Sequence, residues 1–178
     1  MKIKLIISTA SLISVLFFAG NWSVDGPRAK IMFSVKGPFG TVHGNFSGLK
    51  ATIQFDEKDL AGSSFTASIE TKTVNTGVGL RNSDLRNKEI WLNSEKYPTI
   101  SFHSKKIEKT AKGFSALGEL TIKSTTKELA IPFTFAAKGN SGVFNGLFHI
   151  NREDYKVGNK GGSVGDDITI SLEVPVTK

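Results

Sequence analysis

Apolar side chains recur at every second position along most of the chain after residue 21. Leu129, Ile131, Phe133 and Phe135 form the clearest stripe. Strict alternation over this length predicts antiparallel β-strands that are buried on one face and solvated on the other. Other segments with the same period are 31–35, 65–70, 99–103, 114–122, 144–150 and 168–176.

Turn-forming residues separate these segments, at positions 37–38, 56–62, 111–113, 139–142 and 158–165. No linker or internal repeat divides the chain, so residues 21–178 are expected to form one all-β domain. Eight or more short strands with many glycines predict an antiparallel barrel or sandwich. A closed barrel is favoured, because long alternating strands with open edges invite aggregation.

One stretch departs from the period of two. Residues 79–92 read GLRNSDLRNKEIWL, in which Leu80 and Leu85 lie near one helical face. This spacing predicts one short helix over residues 79–92.

The N-terminus has the layout of a secretory signal peptide. Lys2 and Lys4 precede an apolar run over residues 5–19, and polar residues follow Gly20. The run is short for a membrane-spanning helix, so residues 1–20 are expected to be removed after export to the periplasm or the medium. A phenylalanine occupies a position where cleavage prefers a small residue, which leaves an uncleaved anchor as the alternative.

Reactive groups that could converge in an active site are scarce. The chain has no cysteine, which excludes disulfides, cysteine-ligated metals and thiolate nucleophiles. His43, His103 and His149 each fall on the polar parity of their strand, so their side chains are expected to point outward. We therefore predict no metal site, no cofactor and no enzymatic activity. An enzyme on this barrel would need a buried acid–base pair, which the pattern does not offer.

The chain is basic, with 23 Lys and Arg against 16 Asp and Glu. Its densest cationic group, Lys105, Lys106, Lys109 and Lys112, lies near a predicted hairpin turn. Such a run is typical of a solvated loop, and the sharper hypothesis is weak attraction to an anionic membrane surface. Nucleic acid is not an expected partner. Monomer and homodimer are both compatible with the sequence.

Large apolar residues are in excess on the inward parity. They predict either a solid barrel core or a barrel that encloses an apolar ligand, and periodicity does not decide between the two. The first possibility corresponds to a filled-barrel structural or stress-related interaction protein without a lipid ligand.

A set of longer motifs is more specific. In order and spacing these motifs resemble the YceI-like family of bacterial exported lipid-binding proteins, over essentially the whole mature chain. They are Trp22-Ser23-Val24-Asp25, Thr76-Gly77, Arg81-Asn82-Ser83-Asp84-Leu85-Arg86, Glu89-Ile90-Trp91, Tyr97-Pro98-Thr99-Ile100-Ser101-Phe102, Gly118-Glu119-Leu120-Thr121-Ile122-Lys123, Thr125-Thr126-Lys127, Ile150-Asn151-Arg152-Glu153-Asp154-Tyr155 and Val164-Gly165-Asp166-Asp167-Ile168.

The resemblance implies an extended, lipocalin-like eight-stranded barrel with an apolar tunnel. It also implies non-enzymatic binding, storage or transport of a polyisoprenoid or similar long-chain lipid in the periplasm. The sequence departs from the family pattern at Asn82 and Asp84, where the family usually has Asp and His, and at Ile90, where an aromatic is usual.

We expect inward-facing apolar residues to line the tunnel. The predicted lining residues are Phe33, Val35, Phe55, Ile69, Leu85, Trp91, Phe102, Leu120, Phe133, Phe135 and Phe148. Arg81 is the candidate contact for a polar or phosphate head group. The alternative for Arg81 is a structural ion pair with Asp84 or Asp154.

Overall fold

The alternating segments form strands that pair with their neighbours in the sequence. The computed structural model describes residues 20–178. The predicted signal segment lies outside the described residues, apart from Gly20. The strands are β1 Asn21–Val24, β2 Lys30–Gly37, β3 Gly40–Phe46, β4 Lys50–Gln54, β5 Ser64–Glu70, β6 Thr99–Thr110, β7 Gly113–Ile122, β8 Thr125–Lys138, β9 Ser141–Asn151 and β10 Asp167–Thr177. In the described part of the chain, the single α-helix, α1, spans Gly79–Asn87, and two 3₁₀ turns span Thr71–Thr73 and Glu153–Tyr155.

Strand burial follows the sequence pattern. In β7 every second residue from Phe114 to Ile122 is buried, and the residues between them are only partly covered. The three histidines fall on the outward parity and are exposed. Within residues 20–178, no helix combines the length and the apolar composition needed to span a bilayer.

The sheet closes on itself as an antiparallel barrel. Strands β4 to β10 pair in sequence order, and β1 joins β4 to β10. Strand β2 pairs with Ile168–Glu173 of β10, while β1 pairs with its last residues, Val176 and Thr177. The result is the predicted closed eight-stranded barrel, in which two of the eight strands are each interrupted once.

The first interruption separates β1 from β2. The Ala29 N–H donates to the Asp25 carbonyl at 2.9 Å, which makes one tight turn, and the Arg28 guanidinium pairs with the Asp25 carboxylate at 2.5 Å. The second lies between β3 and β4, where Gly48 has a φ of +73°. Sequence periodicity did not predict either break, because each break spans only a few residues.

Helix α1 is shorter than the predicted helix over residues 79–92. It ends at Asn87, and Lys88 is extended, with φ −77° and ψ +135°. The chain then folds back against the helix, since the Leu92 N–H donates to the Leu85 carbonyl at 3.0 Å. This turn buries Leu92. The prediction was wrong over residues 88–92, because contact with the barrel overrides the weak helical pattern there.

Candidate functional site

One end of the barrel encloses a cavity of about 640 Å³. Its walls are inward-facing side chains of nearly all the strands, and these side chains are almost entirely apolar. Small-molecule sites commonly measure about 300–1,000 Å³. At about 30 Å³ per water-sized group, the cavity holds on the order of 20 such groups, which is the size of one acyl or prenyl chain.

The opposite end of the barrel is filled by aromatic rings. Phe55 is 2% exposed, and the Trp22 Nε1–H donates to its carbonyl at 3.0 Å. The ring centroid of Phe55 lies 5.1 to 5.9 Å from five other rings. Those rings belong to Phe65, Phe114, Phe133, Phe135 and Phe144. We call Trp22, Phe55 and these five residues the aromatic plug. Edge-to-face pairs of this kind are favourable beyond their buried area.

The cavity opens at the other end of the barrel, and this opening is the mouth. It lies between α1, the β2–β3 hairpin and the loop over residues 156–166. Residues that line it include Phe39 of the hairpin, Leu80 and Arg81 of α1, and Val157 and Val164 of the loop.

The structure places most of the predicted tunnel residues on the cavity wall. These are Phe33, Val35, Ile69, Leu85, Trp91, Phe102, Leu120, Phe133 and Phe148, and Arg81 also lines the cavity.

Phe55 and Phe135 do not line the cavity, so their prediction was wrong. Phe135 stacks on Phe144 at 4.3 Å and lies 5.0 Å from Trp22, within the plug. Parity correctly turned both side chains inward. It could not give their depth along the barrel axis, which depends on strand register.

Arg81 is not held by an ion pair in the described structure. Its Nε–H donates to Thr76 Oγ1 at 2.9 Å, and its Nη2 donates to the Thr76 carbonyl at 3.2 Å. The two predicted carboxylate partners bind lysines instead. Asp84 lies 2.8 Å from Lys88, and Asp154 lies 3.5 Å from Lys127. The alternative of a structural ion pair is therefore wrong, and Arg81 places a positive charge at the mouth that has no salt bridge within residues 20–178.

Asn82 fixes the turn that positions Arg81. Its Oδ1 accepts hydrogen bonds from the Thr76 N–H at 2.8 Å and from the Thr76 hydroxyl at 2.7 Å. Its Nδ2 donates to Asn75 Oδ1 at 3.0 Å. A neutral amide thus holds the loop before α1 without adding a charge beside the guanidinium.

Arg152 has a role that sequence reasoning missed. It is 2% exposed, and it lies at the end of β9 on the same inward parity as Phe148 and Ile150. Its guanidinium donates to four backbone carbonyls and pairs with the Asp166 carboxylate at 2.6 Å. The carbonyls belong to Val157, Asn159, Val164 and Gly165. The sequence did contain a signal for this role: Arg152 is a charged residue on the apolar parity, and it precedes the glycine-rich segment 158–165.

The Arg152 bonds hold the loop over residues 156–166 against the barrel. Two further contacts join this loop to the segment after α1. The Gly158 N–H donates to the Ile90 carbonyl at 2.5 Å, and Lys123 Nζ donates to the Glu89 and Lys156 carbonyls at 2.7 and 3.2 Å. These hydrogen bonds hold the loop and the segment after α1 together on one side of the mouth.

Tyr155 is a second lining residue that the sequence did not indicate. It is 3% exposed and borders the cavity. Burial, together with the neighbouring Asp154 carboxylate, raises the pKa of its phenol. The phenol is therefore neutral at physiological pH and adds a polar group, but no charge, to the wall.

Closed antiparallel barrels with an apolar interior that opens at one end form a class that includes the ligand-enclosing lipocalins. The sequence model of the YceI-like domain matches residues 22–176. The chain therefore belongs to the YceI-like family.

Relatives and solved structures agree with this assignment. A UPF0312 protein of Yersinia enterocolitica is 28% identical over 165 residues, covering 88% of this chain and 85% of that protein. The crystal structure of Burkholderia cenocepacia BcnA matches with a TM-score of 0.80 and 26% identity, over 87% of this chain and 100% of BcnA.

Two further structures have the same fold. The Campylobacter jejuni YCEI protein matches with a TM-score of 0.69 and 28% identity, over 77% of this chain and 85% of that one. A polyisoprenoid binding domain from Saccharophagus degradans matches with a TM-score of 0.65 over 89% of this chain and 98% of that domain. At 13% identity, this last match shows the fold alone.

The two ends of the barrel should respond differently to the same truncation. Phe55→Ala removes the centre of the plug and should lower the free energy of unfolding by about 3–5 kcal/mol. Phe33 borders space that is already open. In delipidated protein, Phe33→Ala should therefore lower the free energy of unfolding by less than about 2 kcal/mol. Urea unfolding of both variants measures the difference, and equal losses would contradict an open cavity.

Proposed function

We propose that this protein binds one long-chain apolar amphiphile, a polyisoprenoid or a similar lipid, in its barrel cavity. It stores or transports the lipid without changing it chemically. The observation that carries the proposal is an apolar cavity of about 640 Å³ that is open at one end and closed by the aromatic plug at the other. Such a shape accepts a chain tail-first and leaves its polar end at the mouth.

The polar groups on the cavity wall favour binding over catalysis. Arg152 is committed to its backbone carbonyls and Asp166, Asp84 is paired with Lys88, and the Tyr155 phenol is neutral. Acid–base chemistry needs a donor and an acceptor of matched pKa that converge on the substrate. The lining residues described between positions 20 and 178 supply no such pair.

Selectivity is expected to come from the length of the chain and from its head group. The lipid's alternative environment is a bilayer, which is nearly as apolar as the cavity. Net transfer between the two environments therefore changes little in free energy. A chain longer than the cavity would leave part of its length at the mouth, and Arg81 would contact an anionic head group there.

Export to the periplasm completes the proposal. Its support is the basic and apolar layout of residues 1–20. The N-terminus of protein from the periplasmic fraction, determined by intact-mass measurement, should correspond to loss of about 20 residues. A chain that keeps Met1 and fractionates with membranes would contradict export as a free protein.

Native mass spectrometry of protein purified without detergent tests the binding. The wild type should carry an additional lipid mass. Leu120→Trp puts a bulkier side chain into the cavity and should abolish that mass while the barrel remains folded. Leu117→Trp is the matched control, because Leu117 lies on the same strand on the opposite parity and does not line the cavity.

A filled barrel without a ligand predicts the reverse. The wild type would carry no lipid, and overpacking at Leu120 would lower the free energy of unfolding by about 1–3 kcal/mol. That combination would show that the proposed function is wrong.

Arg81→Gln tests the head-group contact. Loss of charge-assisted hydrogen bonds worth about 1.5–3 kcal/mol should weaken binding of a prenyl phosphate by about 10- to 100-fold. Binding of the uncharged prenyl alcohol should change little. Lys112→Gln, the same charge change in the β6–β7 turn at the plug end, is the control. Titrations monitored by tryptophan fluorescence give the affinities. Equal losses of affinity for the phosphate and the alcohol would show that Arg81 does not contact the head group.

A further inference from the structure

Exposed apolar side chains concentrate at the mouth. Among residues 20–178, six large apolar residues are markedly exposed, and four of these line the cavity. Phe39 is 102% exposed, Leu80 is 78% exposed and Val78 is 47% exposed. Single exposed apolar residues are ordinary on protein surfaces, whereas a cluster of them marks an interaction site. We call Phe39, Val78 and Leu80 the apolar rim.

Backbone geometry holds the rim in place. Gly37 pairs with Gly40 in the β2–β3 hairpin, so Pro38 and Phe39 form a two-residue tip, and Gly40 supplies the positive φ of +124° that the turn needs. Phe39 therefore projects beyond the last ladder pair. Leu80 lies in the first turn of α1, whereas Leu85, later in the same helix, packs against the core.

Positive charges surround the rim. Lys36 precedes the hairpin tip, Arg81 follows Leu80, and Lys160 lies in the loop that contacts Lys36, where the Gly165 N–H donates to the Lys36 carbonyl at 2.7 Å. In the described part of the chain, none of these three cations has a salt bridge.

The carboxylates near the mouth do not cancel this charge. Asp84 is paired with Lys88, and Asp166 is paired with Arg152. Two carboxylates are left to offset the three cations: Asp167, directly after the loop, and Glu153, whose Oε1 accepts a hydrogen bond from the Gly161 N–H of the loop at 3.3 Å. Apolar side chains bordered by cations match the surface of a bilayer that contains anionic phospholipids.

The cluster Lys105, Lys106, Lys109 and Lys112, for which the sequence indicated a solvated loop or, as the sharper hypothesis, an anionic membrane surface, lies at the other end of the barrel. Lys109 pairs with Phe114, which contacts the plug residue Phe55. Lys105 is 2.7 Å from Glu119 and 3.3 Å from Glu128, and Lys106 pairs with Glu108. These ion pairs and this position separate the cluster from the mouth.

We propose that the apolar rim inserts into the surface of an anionic phospholipid bilayer, while Lys36, Arg81 and Lys160 contact the head groups. This docking sets the mouth against the acyl layer, so that the lipid of the proposed function moves between bilayer and cavity without crossing water. The inference rests on that function for its purpose, but its geometry depends on the rim alone.

Sedimentation with vesicles tests the docking. The full-length mature protein should bind vesicles of phosphatidylcholine mixed with phosphatidylglycerol, should bind phosphatidylcholine alone more weakly, and should be released by salt. Phe39→Ser and Leu80→Ser should each weaken binding about tenfold, from the loss of one inserted side chain. Leu147→Ser is the matched control: Leu147 is 59% exposed but lies on β9, away from the cavity lining, and its loss should leave binding unchanged.

A charge reversal tests the electrostatic part separately. Lys36→Glu should weaken binding to the anionic vesicles, and Lys112→Glu at the plug end should not. All substituted residues are exposed, and circular dichroism melting curves check that each variant folds. Equal binding by the rim variants, Leu147→Ser and the wild type would overturn the proposal.

Two further measurements separate the alternatives. Analytical ultracentrifugation that shows a dimer which Phe39→Ser dissociates, without vesicle binding, would make the rim a self-association surface and overturn docking. The lipid mass carried by the wild type reports the proposed function independently. Vesicle binding with an empty cavity would therefore support docking while contradicting the proposed function, and a loaded cavity without vesicle binding would do the opposite.

Discussion

Strand β10 closes the barrel by pairing along its length with β9 and, on its other edge, with β2 and then β1. Antiparallel sheets of this length would otherwise expose two unpaired edges. The turn over residues 25–29 lets one interrupted strand follow β10 from mouth to plug. The β1 portion places Trp22 where its indole N–H donates to the Phe55 carbonyl, and the β2 portion carries the hairpin with Phe39 to the mouth. The position of both ends of the cavity therefore depends on this closure.

Closure divides the interior into a packed half and an open half. A dry cavity leaves its lining atoms without van der Waals partners, at a cost of about 24 cal/mol per Å³ of empty volume. Under the proposed function, an apolar chain in the cavity supplies the missing partners, and the aromatic plug would keep the barrel packed while the chain is exchanged.

Sequence pattern was sufficient for the parts of this fold that depend on local alternation. Parity gave the strands, the outward histidines and the inward face of every predicted lining residue on a strand. It failed where the result depends on position along the barrel axis, as with Phe55 and Phe135, since register is set by distant pairings. For Arg81 it left a head-group contact and a structural ion pair open, because ion-pair geometry depends on a loop conformation fixed by Asn82; the structure gives Thr76, and no carboxylate, as its partner. Arg152 was visible as a charge on an apolar parity, but its acceptors come from a glycine-rich loop without periodicity.

An apolar chain has nearly the same free energy in the cavity as in a bilayer. Selectivity under the proposed function therefore depends on the polar and charged residues at the mouth. Burial of about 20 methylene-sized groups at about 0.8 kcal/mol each approaches the ceiling for non-covalent affinity near 18–21 kcal/mol. A bilayer offers the same chain nearly the same gain, so the walls alone neither retain nor release it selectively. What differs between the two environments is the polar end. At the mouth, the Arg81 guanidinium, which has no carboxylate partner in the described structure, and the cations Lys36 and Lys160 near the apolar rim would meet the head group of a bound lipid. Under the proposed function, small changes in these few residues would therefore shift the distribution of the lipid between cavity and bilayer, whereas conservative changes on the apolar wall would leave that distribution nearly constant.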